Sequence, residues 1–253
     1  MRSTLPESNT NTTEDVNGNT NEDTTDAEDT NANTNANVNV DTSSADSFDI
    51  DTCAKVYSRG SAAEKRVSLT FNVGTTKQGD IDKVLSTLTN AGVKADFFAR
   101  GDVAEEAPDL IKKISDAGFP VYNLSYSHPH FSDLPETGMS EQLEKAESAI
   151  SQITGKTTKP FFRPPYGDAD EDVLSVASSE GYCPITWTVD ALDWSTEYTP
   201  EQSKERVMSN ITNGTIVLMQ AANATTAEIV PGIITDLQSQ GYEIVDLDTL
   251  VAL

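Results

Sequence analysis

Between Arg66 and Val245 the chain repeats one unit: a short apolar strand, a polar loop, an amphipathic helix and a closing glycine. No other feature limits the fold as much. Consecutive strands separated by helices run parallel, and a parallel sheet needs helices to cover it. The strands read as residues 66–71, 94–99, 119–122, the short run at Phe161-Phe162, 182–189, 215–219 and 242–245. One helix carries Ile81, Val84, Leu85 and Leu88 and stops at Gly92, and the next carries Leu110, Ile111 and Ile114 and stops at Gly118. Later helices carry Leu143, Ala146, Ile150 and Ile153; Val173, Leu174 and Ala177; and Ile229, Ile233 and Leu237, with Thr199-Pro200 opening one more. A (β/α) barrel and a doubly wound sheet both satisfy this order. Seven strands with no dinucleotide fingerprint and no phosphate-binding glycine loop favour an α/β fold of the distorted (β/α)-barrel kind.

The repeat does not reach the N-terminus. Residues 1–51 are Asn, Thr, Asp and Glu with almost nothing apolar, so they cannot bury enough surface to offset the entropy of ordering and are expected to form a disordered tail or tether. Residues 52–253 are then the folded domain. The net charge of −24 argues against nucleic acid and against docking on anionic lipid. No apolar run is long enough to span a bilayer, and Met1-Arg2-Ser3 starts no signal peptide. A polar tether ahead of a domain fits an exported or cell-surface module with its signal or anchor outside this chain, and a cytosolic location stays open. A monomer is expected. Cys53 and Cys183 each precede a strand; a disulfide is one option, and two buried thiols are the commoner outcome for such a pair.

Chemistry in strand–helix repeats gathers at the C-terminal ends of the strands. In Phe161-Phe162-Arg163-Pro164-Pro165-Tyr166-Gly167 the two prolines end the strand, Gly167 frees a turn, and Asp168 and Asp170 offer caps for the next helix. Arg163 therefore sits at a strand exit beside a rigid turn that holds Tyr166. The other exits are Thr70-Phe71-Asn72-Val73-Gly74, Leu124-Ser125-Tyr126-Ser127-His128-Pro129, residues Asp190 to Trp194, and Leu218-Met219-Gln220.

In order and spacing these exits resemble the polysaccharide deacetylase family, the NodB homology domain of carbohydrate esterase family 4, over nearly everything from Arg66 to Leu250. The resemblance implies a distorted barrel and metal-assisted removal of N-acetyl groups from β-1,4-linked glycans such as peptidoglycan or chitin. The family's first motif, Thr-Phe-Asp-Asp-Gly, supplies a general base and a metal ligand. Its second, His-Thr/Ser-x-x-x-His, supplies two more ligands, and a histidine closing the fifth motif is the general acid. Here Asn72 stands at the base position, Val73 at the metal aspartate, Leu124 at the first ligand histidine and Gln220 at the acid. His128 remains, as do Arg163, which orients the base in the family, Tyr166, whose N–H binds the oxyanion, and Asp193-Trp194.

The departures fall on the chemistry itself. The chain has two histidines, His128 and His130, whereas a catalytic zinc takes three protein ligands. Val73 and Leu124 offer no lone pair, Asn72 cannot take a proton near neutral pH, and Gln220 cannot give one. No metal cofactor is expected, and the apolar replacements are expected to fill the former metal pocket. His130 reads as a solvated loop residue and His128 as a hydrogen-bonded brace for its loop. Arg163 and Asp193 are expected to pair with each other or with Asn72. A regrouped site from His128, His130, Asp133, Asp190 and Asp193 is the alternative. Three functions follow: a module holding N-acetylated glycan through Trp194, Tyr166 and Tyr126, a weak or reorganised N-deacetylase, and a surface scaffold with no glycan ligand.

Overall fold

The computed structural model describes residues 53–252. The expected tail, residues 1–51, lies outside the described residues. Eight strands form one parallel sheet: β1 Arg66–Val73, β2 Asp96–Ala99, β3 Val121–Asn123, β4 Phe161–Phe162, β5 Cys183–Pro184, β6 Val189–Asp190, β7 Thr215–Gln220 and β8 Glu243–Ile244. Their order is β5-β4-β3-β2-β1-β7-β6, with β8 paired to the first residues of β1.

Residues 182–189, expected as one strand, are two strands at opposite edges of the sheet. The chain steps from one edge to the other between Ile185, whose N–H donates to Phe162 (2.7 Å), and Thr188, whose N–H donates to Ile216 (2.9 Å). Three residue steps reach about 11 Å at most. The edges must therefore face each other, and the sheet curls into a distorted barrel. The segment before β1 fills the seam. The Tyr57 N–H donates to the Pro184 carbonyl and its own carbonyl accepts from Thr186, both at 2.9 Å, while Arg59 bridges to Thr215. Cys53 and Cys183 form a disulfide across this seam, with Cα atoms 4.5 Å apart, so the two-thiol expectation gives way. The seam packing brings together two cysteines that lie 130 residues apart in sequence.

Strand periodicity sorts β1 into two faces. Val67, Leu69, Phe71 and Val73 pack outward with the helices in the main apolar cluster, and Phe71 stacks on Phe97 with ring centroids 5.1 Å apart. Ser68, Thr70 and Asn72 fall on the opposite, barrel-interior face. The outer layer is α1 Ile81–Ala91, α2 Gly101–Glu106, α3 Pro108–Asp116, α4 Glu136–Thr154, α5 Glu171–Ser179, α6 Pro200–Ser209, α7 Ala224–Ser239 and α8 Leu247–Val251. Its caps are mostly those the sequence offers. Gly92 closes α1 in the left-handed region (φ 64°), Asp170 accepts from Val173 N–H to open α5, and Thr199 with Gln202 makes a capping box on α6. The helix α2 was not expected. It lies so close to α4 that a Cβ on Gly101 would sit 2.7 Å from the Ala146 Cα.

Candidate functional site

The C-terminal strand ends surround a cleft of about 440 Å³ lined by Asn72, Leu124, His128, Arg163, Pro164, Tyr166, Trp187, Asp190, Trp194, Leu218 and Gln220. Arg163 anchors its floor. Its side chain has no exposed surface, and it donates from Nη1 to Asn72 Oδ1 (3.0 Å) and from Nη2 to Thr70 Oγ1 (2.8 Å). Longer contacts of 3.4 Å reach the carbonyls of Ile185 and Thr186 at the seam, and the guanidinium lies 4.1 Å over the Phe98 ring. Burial pulls its pKa down to about 9, against support from Asp96 and Asp190, so it stays charged at neutral pH. Of the two pairings considered for Arg163, the one with Asn72 forms. Asp193 turns elsewhere: its Oδ2 accepts from the Gln220 backbone N–H (2.8 Å) and from Thr226 Oγ1. Its Oδ1 is buried with no partner, and desolvation pushes its pKa up to about 6.

The loop after β3 is set by two left-handed non-glycine residues, Ser125 (φ 64°) and His128 (φ 62°). The Ser125 N–H donates to Asn123 Oδ1 (2.8 Å), and its hydroxyl accepts from the His128 N–H (3.0 Å). His128 thus braces the loop through its backbone, and its ring packs edge-on against Tyr166 with centroids 4.7 Å apart. Burial, and then Arg100, keeps that imidazole neutral by lowering its pKa. The same loop carries Tyr126 away from the cleft. Its hydroxyl donates to Glu105 (2.8 Å), its carbonyl accepts from Asp102 N–H, and it is not a lining residue. Val73 is absent from the lining as well, because strand alternation puts its side chain with the helices. Leu124 alone of the two apolar replacements faces the cleft.

His130 is not simply solvated. Its Nδ1 lies 2.9 Å from Asp168 Oδ2, which also accepts from Ser132 Oγ at 3.1 Å, and its ring stacks on Tyr166 at 3.9 Å. Tyr166 itself has φ 59°, so both histidines of the chain buttress a strained residue at the rim. Leu192 (φ 54°) is a fourth left-handed residue bordering the cleft, held by the Asp190 Oδ1 acceptor at 2.8 Å. Trp187 was hidden inside the expected 182–189 strand. It lines the cleft, lies 5.9 Å from the guanidinium and packs against Gly167.

A family model described as polysaccharide deacetylase matches residues 59–185, half of the chain. The chain belongs to the polysaccharide deacetylase family. Among relatives of this deacetylase-family protein, the peptidoglycan-N-acetylmuramic acid deacetylase PdaA of Bacillus subtilis is 30% identical over 194 residues, covering 76% of this chain and 73% of the relative. Among solved structures, a CE4 family pseudoenzyme from Bacillus anthracis shares 33% identity at a TM-score of 0.75, over 78% of this chain and 69% of that one. A mutant CE4 family pseudoenzyme with restored enzymatic activity matches at 32% and the same TM-score, over 78% and 71%.

The family implies a divalent metal, and the residues of this polysaccharide deacetylase homologue do not fit one. Leu124 cannot coordinate, Val73 points to the helices, and His128 is left without a second donor. Among the described residues no group of three or more His, Cys, Asp or Glu side chains is placed to hold a metal ion.

Proposed function

We propose that this protein keeps the family's glycan cleft but not its hydrolytic chemistry, and holds β-1,4-linked N-acetylated glycan of the peptidoglycan or chitin type without metal-dependent deacetylation. The carrying observation is the contrast between rim and floor. At the rim Trp194 and Tyr166 are 58% and 57% exposed, as faces on which sugar rings stack. At the floor the base position is an amide that accepts a hydrogen bond from Arg163, the acid position is a glutamine, and of the metal positions Leu124 and His128 line the cleft while Val73 turns to the helices. General acid–base assistance contributes about 10²–10⁴-fold and a metal several kcal/mol more, so losing both leaves little of that rate. The relatives' peptidoglycan chemistry supports the ligand class, and it supports action outside the cell or at its surface, where such polymers lie. We take the working form to be a monomer.

Calorimetric titration with N-acetylglucosamine oligomers and with peptidoglycan fragments tests this reading, together with metal content by mass spectrometry. Binding at up to millimolar ligand is expected, weakened about tenfold in Trp194→Ala, with no stoichiometric divalent ion and no acetate release. Acetate release that rises with zinc or cobalt and vanishes in His128→Ala would establish the reorganised deacetylase instead. No heat with any glycan would leave the scaffold reading. Restored activity in a mutant pseudoenzyme of the family suggests the converse experiment. The variant Asn72→Asp, Val73→Asp, Leu124→His, Gln220→His is expected to gain zinc and acetate release, provided the end of β1 turns to bring residue 73 into the cleft.

A further inference from the structure

We infer that the cleft discriminates by charge and takes a sugar bearing a free amine, a β-1,4-linked glucosamine residue, in preference to its N-acetylated counterpart. The inference rests on the reading of the cleft as a glycan site, and adds that the residue seated in it is one that has lost its acetyl group within an otherwise N-acetylated polymer. Ammonium recognition uses a carboxylate and aromatic faces. The cleft supplies this set. Asp190 lines it with one carboxylate oxygen engaged by the Leu192 N–H, and Trp187, Trp194 and Tyr166 give aromatic surface around it. Arg163, the arginine in the lining, is fully buried and spends its hydrogen bonds on Asn72, Thr70 and two carbonyls, so it offers no free donor to a ligand.

The replacements push in the same direction. A metal-loaded deacetylase presents a dication where the amide of its substrate must bind, which disfavours an ammonium. Here Leu124 takes one metal position and Val73 turns to the helices, so the lining residues hold no such ion. The reaction that must supply such a ligand is N-deacetylation of the same polymer. A protein built on the deacetylase frame would then recognise the product of that chemistry.

The test compares glucosamine and N-acetylglucosamine pentamers of equal length, titrated into the full chain at low ionic strength and mildly acidic pH, where the sugar amine is protonated. The glucosamine pentamer is expected to bind about tenfold more tightly or better. In Asp190→Asn, which keeps an acceptor for the Leu192 N–H, the ratio of the two affinities should collapse toward one. Equal affinities for the unaltered protein, or tighter binding of the acetylated pentamer, would overturn the inference while leaving the glycan reading intact. A preference that survives unchanged in Asp190→Asn would also overturn it, because the charge would then be read elsewhere. If neither pentamer binds, the glycan reading falls and this inference falls with it.

Discussion

Arg163 donates to Asn72 and Thr70 from a position with no exposed surface, so deleting it would strand two acceptors and open a cavity between Phe98 and Trp187. Arg163→Ala is expected to cost about 2–4 kcal/mol in urea unfolding; a loss below about 1 kcal/mol would show that the side chain is not a structural anchor. Two buried acids make a different prediction. Desolvation pushes Asp96 from 3.8 to about 8, despite donors from Ser68 Oγ (3.0 Å) and Leu247 N–H (3.1 Å), and it pushes Asp193 to about 6. Both hold their proton more tightly folded than unfolded. Their contribution is therefore full below the ordinary carboxylate range and is lost as pH rises, through about 6 for Asp193 and about 8 for Asp96. Stability should fall by on the order of 5 kcal/mol between about pH 5 and pH 8.5. Asp96→Asn should flatten the upper part of that fall, and an unchanged slope would count against it. Asn72, Leu124 and Gln220 could be placed from motif spacing because each sits at or next to the C-terminal end of a strand. Tyr126 and Val73 could not, because a left-handed turn at Ser125 and the strict alternation of β1 decide where those side chains go.

The elements that could be read from sequence are those with local causes. Helix α1 announces itself by four apolar residues at helical spacing and a left-handed glycine cap, and α6 by Thr199-Pro200 with Gln202. Helix α2 does not, since six residues beginning at Gly101 carry too short a pattern to register. Residues 182–189 misled for the opposite reason. Nothing in them punctuates the change of partner from β4 to β7, which only barrel closure imposes. The disulfide belongs to the same non-local class. Removing it with Cys53→Ser or a reductant is expected to lower stability by roughly 2–5 kcal/mol. Hydrogen exchange should quicken first at Tyr57 and Thr186, whose amides stitch the seam. Exchange that quickened uniformly, with those two amides no faster than β1, would show that the disulfide does not hold the seam.

At the scale of the whole molecule, the parallel order, the helical coat and the cleft at the strand ends were all implied by alternation and motif order, because a closed parallel sheet leaves few other arrangements. The left-handed rim residues Ser125, His128, Tyr166 and Leu192 are held by contacts that involve neither Asn72 nor Gln220, so the shape of the rim does not depend on those two positions. One further property follows from the bond between Cys53 and Cys183. A force applied ahead of Cys53 passes through sulfur to Cys183, so the backbone between them cannot lengthen, although β1 inside that ring is sheared against β7 and β8. When the molecule is stretched, among the described residues between Cys53 and the C-terminus only the part after Cys183 can add length, and the cleft loop at His128 stays within the covalent ring. Optical-trap pulling should therefore show an unfolding length set by that C-terminal part, lengthening by the span of the 130-residue loop once reductant is added; the same length with and without reductant would contradict this path for the load.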